Sequence, residues 1–298
     1  MSLRLSAVAA ALPFVLSQSS VFAQTTQLDT LIVTASRFQS VSLKSPIAAQ
    51  VITADEIRDS SARTLSDVLS KLAGVHTRIN LTGVPDSPLD LRGFGMTGDQ
   101  NTLVLINGQR ISEFEGATAR ISSIPVDSVD RIEILRGSGS VLYGSGATGG
   151  AINIITRAPV GDEIEGTLFA KFGSHDLQDI RAGLQLGSGT WGFRLNAQNF
   201  ETDNYRANNR AKQEAFDAEL RFSQGKDFLS FGFTTDKQKA RLPGARTEQL
   251  LETDRRGATT PNDYLNTDSE TYMIRGEKSL GQLTFAVDIA ERLSLIHI

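Results

Sequence analysis

Three glycines, Gly144, Gly146 and Gly149, stand in the G-x-G-x-x-G spacing by which dinucleotide-binding proteins hold a pyrophosphate. That chemistry needs a helix to open at the third glycine, because the helix N-terminus binds the phosphates. Here the β-branched run AINIIT follows at residues 151–156, which favours a strand. A P-loop is excluded because Gly150 rather than lysine follows Gly149. We therefore predict no cofactor here, with an exported oxidoreductase as an alternative.

Other residues that could carry chemistry are sparse. The chain has no cysteine, which excludes disulfides and thiolate metal sites, and His76, His175 and His297 are scattered. We expect neither a metal site nor catalytic residues. Net charge is −4, and the 30 lysines and arginines form no long block, so we expect no nucleic-acid partner.

The glycine run indicates tight turns and close backbone approach. The segment ILRGSGSVLYGSGATGGAINIIT at residues 134–156, together with LDLRGFG at 89–95 and LVLINGQR at 103–110, resembles the plug domain of TonB-dependent outer-membrane receptors. The resemblance implies that Arg92 and Arg136 face acidic residues of a barrel wall. Positions on the solvent-exposed surface are the alternative for both arginines. The plug motif residues are Arg92, Gly93, Asn107, Gly108, Arg136, Gly137, Tyr143, Gly144, Gly146, Gly149 and Gly150.

A second signature of the same family is DTLIVTA at residues 29–35, which resembles the TonB box. An apolar, β-branched segment of this kind can pair as an added strand with the periplasmic protein TonB, through main-chain hydrogen bonds. An ordinary first strand of the plug is the alternative. The proposed TonB-binding residues are Asp29, Thr30, Leu31, Ile32, Val33, Thr34 and Ala35.

The first 23 residues have the features of a secretory signal peptide cleaved after Ala23: one cation at Arg4, an apolar stretch over residues 5–16 and a polar tail. The apolar stretch is too short for a transmembrane helix, which needs about 20 residues. Residues 24–39 are then the TonB box and linker. We expect no additional signalling domain before the box, because only the five residues from Gln24 to Leu28 separate the cleavage site from Asp29.

Residues 40–157 are predicted to form a small α+β plug domain. Residues 49–53 should be a strand, and Thr53 with Glu56 forms a capping box that starts a short helix. A second helix should start at Thr64 and end at Gly74 in a left-handed cap, with its leucines in the core. Strands are expected at 103–106 and 131–135, with Asn107 and Gly108 forming a tight turn.

From Ile164 to Ile298 the hydrophobic period is two, as for strands with one apolar and one polar face. Short connections at 187–190, 224–227 and 280–281 should alternate with long ones at 201–215 and 235–269, as in outer-membrane barrels. A soluble β-sandwich is the alternative. About seven strands of ~10 residues fit, whereas a plugged barrel needs about 22, so we predict only the N-terminal part of an antiparallel transmembrane β-barrel.

The resemblance implies an outer-membrane active-transport receptor of Gram-negative cells without enzymatic activity. Its expected partners are TonB with the inner-membrane energising complex, outer-membrane lipid and a scarce nutrient, most often a ferric siderophore, and it should be a monomer. Cobalamin, haem or another ligand remains open. A secreted β-rich binding or adhesion protein is the alternative from another class.

Overall fold

The structure is a computed structural model that describes residues 31–32, 40–41, 49–62, 64–78, 80, 83–112, 118–138, 144–162 and 164–297. The predicted signal peptide and Tyr143 lie outside these residues. In the described part of the chain, no helix is long and apolar enough to cross a membrane.

Short strands and helices alternate before residue 157, and long strands dominate after it. The early strands are β1 Leu31–Ile32, β2 Ser40–Val41, β3 Ala49–Thr53, β4 His76–Thr77, β5 Leu89–Asp90, β6 Thr102–Ile106, β7 Gln109–Arg110, β8 Val129–Arg136 and β9 Gly150–Thr156. The long strands are β10 Ile164–Gly173, β11 Leu177–Ser188, β12 Trp191–Thr202, β13 Ala211–Gln224, β14 Asp227–Arg241, β15 Tyr264–Leu280 and β16 Leu283–His297. The helices are α1 Ala54–Asp59, α2 Leu65–Ala73, α3 Gly98–Asn101 and α4 Glu248–Thr253.

The first part, from β3 to β9, is called the α+β unit below. Its five-stranded sheet has the order β3-β8-β9-β6-β7, in which β6 and β9 are parallel and the other pairs antiparallel. Helix α1 begins with the predicted capping box of Thr53 and Glu56, and α2 ends at Gly74 with φ +58°. The predicted local elements are confirmed, and Leu65, Val68 and Leu69 pack in the core.

The seven long strands form one antiparallel sheet in which each strand pairs with its neighbours in sequence; it is called the wall below. Its burial pattern is the reverse of that of a soluble protein. Ile180 is 38% exposed, whereas its neighbour Asp179 is 5% exposed. The apolar face points outward and the polar face lies against the α+β unit, as expected of a membrane barrel with an occupied interior. The predicted fold class is confirmed.

The outer connections are shorter than the sequence suggested. Strand β12 continues to Thr202 and β13 begins at Ala211, so the predicted long loop 201–215 shrinks to residues 203–210. The loop predicted at 235–269 is confined to residues 242–263 and contains α4. Near the strand ends, charged side chains replace the apolar ones on the outward face, while the backbone hydrogen-bond ladder continues. A prediction from the hydrophobic period alone therefore ends these strands too early.

Candidate functional site

The α+β unit is fastened to the wall by a buried polar network, called the latch below. It joins two loops of the α+β unit to strands β13 and β14. Its members are Asp86, Arg120, Ser122, Gln213, Asp236 and Gln238.

Asp86 is at the centre of the latch and is 2% exposed. One carboxylate oxygen, Oδ1, accepts a hydrogen bond from the backbone N–H of Ser122 at 2.8 Å. The other, Oδ2, accepts from Nε2 of Gln238 at 2.8 Å. Burial, followed by the nearby charge of Asp236, raises the pKa of Asp86 from 3.8 to about 6. The carboxylate therefore connects the α+β unit to the wall and titrates near neutral pH.

The remaining latch contacts continue across the wall. The Ser122 hydroxyl donates to Oε1 of Gln213 at 2.9 Å, and Nε2 of Gln213 donates to Oδ2 of Asp236 at 2.6 Å. Arg120 lies with Nε 3.4 Å from Oδ1 of Asp236, and both side chains are less than a tenth exposed. Hydrogen bonds to buried charges are stronger than neutral ones, so the latch is a specific and costly contact to break.

A second contact ties the end of β9 to the wall through Arg194, which is 5% exposed. Its Nη1 donates to the Thr156 hydroxyl at 2.8 Å and to the carbonyl of Arg157 at 2.9 Å. Its Nη2 lies 3.1 Å from Glu219 and 3.3 Å from Asp217. One guanidinium thus neutralises the buried Glu219 and the half-buried Asp217 of the wall, and it also holds the end of β9 and the residue after it.

Between these contacts the two parts of the molecule enclose a cavity of about 230 Å³. Strands β6 and β7 and the loop before β8 line one side, and the inner face of β12–β16 lines the other. Arg292 of the wall crosses it and donates to the carbonyl of Ile111 at 3.0 Å.

The predicted turn at Asn107 and Gly108 is confirmed, with φ of +51° and +86°. Asn107 donates through Nδ2 to the Thr156 hydroxyl at 2.9 Å, and the N–H of Gly108 donates to Oδ1 of Asn153 at 3.0 Å. The asparagine therefore both adopts the left-handed turn and fixes the turn to β9.

The glycine run forms turns followed by strand β9, so the prediction of a strand after Gly149 is confirmed. Gly144 and Gly146 have φ of +76° and +87°, and the N–H of Gly149 donates to the carbonyl of Asn101 at 2.7 Å. Gly150 has φ +143°, and a Cβ there would collide with the carbonyl of Leu135. These glycines permit close strand packing, and no helix begins at Gly149, where a dinucleotide would need one.

Among the described residues, neither motif arginine forms an ion pair with the wall. Arg136, before Gly137, donates to Oε1 of Gln50 at 3.1 Å and to the carbonyl of Ala73, both inside the α+β unit. Arg92 is exposed. Within the same described residues, Arg120 of this unit does pair with an acidic wall residue. The expectation for Arg92 and Arg136 concerned a complete barrel, whereas the wall has seven strands, so their role stays a prediction.

The turn that contains Arg92 and Gly93 is organised by Asp90, which the sequence analysis missed. Its carboxylate accepts four backbone hydrogen bonds of 2.8 to 3.1 Å, from Arg92, Gly93, Phe94 and Gly95. Burial opposes ionisation, but these donors hold the pKa of Asp90 below its usual value.

Two residues of the proposed TonB box are described. Leu31 and Ile32 form β1, which pairs antiparallel with β2 so that Leu31 is opposite Val41 and Ile32 is opposite Ser40 in the ladder. Asp29, Thr30, Val33, Thr34 and Ala35 lie outside the described residues. The backbone of Leu31 and Ile32 is thus paired as a strand, and the role of residues 29–35 in binding TonB stays a prediction.

The outer loops contact one another and the α+β unit. Arg206 donates to the carbonyls of Gly244 and Gly257 at 2.7 and 3.0 Å, which joins loop 203–210 to loop 242–263. Asn204 reaches the carbonyl of Gly83 at 3.5 Å, three residues before Asp86. A ligand that moved these loops could therefore act on the segment that carries the latch.

Comparison with known proteins shows which proteins this chain resembles. Residues 42–151 match the family described as TonB-dependent Receptor Plug Domain. The chain is 36% identical over 162 residues to the vitamin B12 transporter BtuB of Vibrio cholerae, and 35% identical over 167 residues to that of Photobacterium profundum. These alignments cover 53% and 55% of this chain but 26% and 27% of the transporters, so the chain matches about a quarter of their length.

Solved structures extend the similarity into the wall. The ferric yersiniabactin uptake receptor FyuA of Yersinia pestis superimposes with a TM-score of 0.67 at 18% identity, over 84% of this chain and 41% of FyuA. FpvA of Pseudomonas aeruginosa, bound to pyoverdine, gives 0.68 at 17% identity, over 88% of this chain and 36% of FpvA. At such identities the likeness concerns the fold alone.

Proposed function

We propose that this chain, which matches the TonB-dependent receptor plug family over residues 42–151, contributes the plug and the first barrel strands of an outer-membrane receptor for active nutrient import. In this proposal the α+β unit is the plug and the wall is part of the barrel. The observation that carries the proposal is that the wall has two different faces: its polar inner face is hydrogen-bonded to the plug through the latch, and its outer face is apolar. That arrangement suits a closed pore that a partner can open.

The opening partner in this proposal is TonB, which pairs with residues 29–35 by adding a strand. Val33→Pro should abolish uptake, because proline removes a backbone donor from the pairing, while Val33→Ala should leave uptake nearly unchanged. The test is nutrient uptake by cells that express each variant at equal outer-membrane levels. Equal uptake by the proline variant and the unchanged protein would reject this role for the segment.

For the cargo we propose a metal chelate, for which the candidates are the ferric siderophore expected from the family resemblance and, second, cobalamin. Cobalamin is favoured by the 36% identity to a vitamin B12 transporter over 162 residues. A loop cation that could attract an anionic iron complex is engaged inside the protein, since Arg246 pairs with Asp254 at 3.2 Å. Loop charge therefore gives little support to the siderophore.

Calorimetric titration of the receptor purified from outer membranes separates the two cargoes. Ferric siderophores of the catecholate and hydroxamate classes and cyanocobalamin serve as probes, and each iron-free siderophore is its own control. Saturable binding of a ferric form alone supports the siderophore, and saturable binding of cyanocobalamin supports the second candidate. Binding of neither would overturn the chelate assignment without affecting the TonB test.

A further inference from the structure

The inner face of the wall changes character along strand β13, whose alternate side chains point toward the plug. Gln213 belongs to the latch. The inward residues that follow it line the cavity between plug and wall; they are Ala215, Asp217 and Glu219. After these comes Arg221, which stands opposite Gly192 of β12, and Gly192 is opposite Gly187 of β11. The cavity therefore has the latch at one end and a row with two glycines at the other.

The two glycines of this row form a groove, called the glycine groove below. A Cβ on Gly192 would overlap the carbonyl oxygen of Pro159, and a Cβ on Gly187 would overlap that of Gly161. Both oxygens belong to residues 157–162, called the connector below, which follow β9 and lead toward β10. Glycine inside a strand marks a place where another backbone approaches closely. The wall is thus shaped to receive the connector, and a side chain in the groove would displace it.

Hydrogen bonds and an ion pair hold the connector at both ends of the groove. At its start, the carbonyl of Arg157 accepts from Arg194, and Nη1 of Arg157 lies 3.2 Å from Oε2 of Glu165. At its end, the N–H of Gly189, in the turn after β11, donates to Oδ1 of Asp162 at 2.5 Å. The connector is therefore fastened to the wall along its length.

The glycine groove is at the end of the wall that has the short connections. The turns at residues 189–190 and 225–226 are near this row, whereas the longer loops 203–210 and 242–263 are beyond the latch. In the proposed function the short connections are periplasmic and the longer ones external. The latch and the seated connector thus close opposite ends of one cavity.

These two closures differ in kind. The latch consists of polar groups, and its Asp86 titrates near neutral pH, so changes of charge act on it. The glycine groove holds the connector mainly by shape, because two backbones meet where no side chain stands between them. The cavity of about 230 Å³ is lined partly by charged side chains, including Arg275 and Arg292, and suits several water molecules. Water that enters from the latch end therefore meets the connector at the other end.

We propose that the connector, seated in the glycine groove, is an inner seal that closes the seam between plug and wall to water and small ions. The latch closes the same seam at its outer end. Loosening of the latch alone then fills the cavity from outside without opening a path across the membrane. This inference rests on the proposed function, in which the wall is part of a pore.

Three single variants test the inner seal. Gly192→Ala places a methyl group where Pro159 approaches, so it should unseat the connector from the side of the wall. Asp162→Ala removes the acceptor for the Gly189 N–H and leaves the wall unchanged. Gly166→Ala is the matched control, because Gly166 is on the outward face of β10 and a Cβ there would have its nearest neighbour at 4.0 Å.

The measurement is the ion conductance of the receptor, purified from outer membranes and inserted into planar lipid bilayers in potassium chloride. The unchanged protein and Gly166→Ala should be closed for almost all of the time. Overpacking of a close contact shifts such an equilibrium by roughly thirtyfold, and loss of one hydrogen bond shifts it by roughly fivefold. The open time of Gly192→Ala should rise by the larger factor and that of Asp162→Ala by the smaller one.

Hydrogen exchange shows whether the connector has left the groove. The amide of Gly189 should lose protection in Gly192→Ala and keep it in Gly166→Ala. The amide of Ser122, in the latch, should stay protected in both variants. This pattern separates an unseated connector from a plug that has undocked as a whole.

Two results would overturn the inference. One is a conductance of Gly192→Ala equal to that of the unchanged protein although its Gly189 amide has lost protection. The other is an equal rise in Gly166→Ala, which would indicate a barrel that is loosened in general. If Gly192→Ala does not insert into bilayers, Asp162→Ala decides alone, and an unchanged open time in that variant rejects the inner seal.

The purified receptor carries no TonB, so the result does not depend on the role of residues 29–35. Membrane placement is checked separately by washing outer membranes with alkaline carbonate. Release of the protein there would count against the proposed function, whereas retention without a rise in conductance rejects the inner seal alone.

Discussion

Replacing Asp86 with asparagine should remove a pH dependence from the docking of the plug against the wall. In the docked state the pKa of Asp86 is about 6, because burial and Asp236 disfavour its ionised form. If the loop leaves the wall and Asp86 is solvated, its pKa returns to about 3.8. The docked state therefore binds the proton more tightly, and docking weakens as the pH rises from about 4 through about 6.

The size of the effect follows from the two pKa values. Between pH 5 and pH 7.5, the difference in proton binding makes docking less favourable by about 1.4 kcal/mol, which is about tenfold in the equilibrium constant. The asparagine in the Asp86→Asn variant carries no charge to titrate. Its amide can still accept from the Ser122 N–H and can donate to the Gln238 side-chain oxygen once that amide turns, so the latch geometry is kept.

The assay is hydrogen exchange at the Ser122 amide, whose N–H donates to Asp86 when the loop is docked. After correction for the pH dependence of intrinsic exchange, the peptide 118–128 should lose about tenfold protection between pH 5 and pH 7.5 in the unchanged protein. Asp86→Asn should lack the tenfold contribution of Asp86, so any pH dependence that remains belongs to the other latch carboxyl group, Asp236. Comparison of the two proteins separates the effect of Asp86 from that of two other carboxyl groups of the plug. These are Asp99, where burial also raises the pKa, and Asp90, where backbone hydrogen bonds lower it despite burial.

The reasoning would be refuted by equal pH slopes in the two proteins, or by protection that increases from pH 5 to pH 7.5 in the unchanged protein. Gln213→Glu serves as a control for added charge. It places a new carboxylate next to Asp236 without changing Asp86 itself, so it should weaken docking most at the higher pH.

Two further predictions concern stability. Arg194→Leu should lower the free energy of unfolding by about 3 kcal/mol, because it leaves Glu219 without one of its buried partners, and urea unfolding checks this; a loss below about 1 kcal/mol would contradict it. Gly150→Ala should lower the free energy of unfolding of the plug by at least about 2 kcal/mol, since the added Cβ would collide with the Leu135 carbonyl. Gly166→Ala, whose added Cβ would have its nearest neighbour at 4.0 Å, should change stability little, and thermal unfolding of both variants checks the comparison. Similar melting temperatures for the two alanine variants would disprove this account.

The helices and strands of the plug were predictable because their signals are local. Thr53 and Glu56 are three residues apart, the apolar residues of α2 follow helical spacing, and Gly74 ends that helix with a positive φ. Each signal depends on nearby backbone geometry, so no tertiary information is needed. The alternation of the wall strands is local in the same sense, and it identified seven strands and their faces.

The latch was not predictable, because its residues are far apart in sequence and have ordinary types. Asp86 and Gln238 are separated by 152 positions, and Ser122 and Gln213 by 91. Strand alternation shows that Gln213 and Gln238 face inward, but not which plug loop they meet. That depends on how the plug is rotated within the wall, and rotation is set by many contacts that no single motif records.

The contacts of Arg136 were not predictable for a different reason. The motif specified an arginine before a glycine, but it did not specify the direction of the side chain. At the C-terminus of α2 the guanidinium binds the carbonyl of Ala73, and cations are favoured near the negative end of a helix.

The position of β3 determines how the plug would respond to mechanical load. Among the described strands, β3 is at the edge of its sheet and pairs with β8, over the five pairs from Ala49 with Leu135 to Thr53 with Arg131. A pull on the chain before residue 49 reaches this edge first. It can peel β3 away one pair at a time while β8, β9 and β6 stay joined. Force applied there would therefore loosen the plug progressively from one side and would not need to rupture the whole sheet at once.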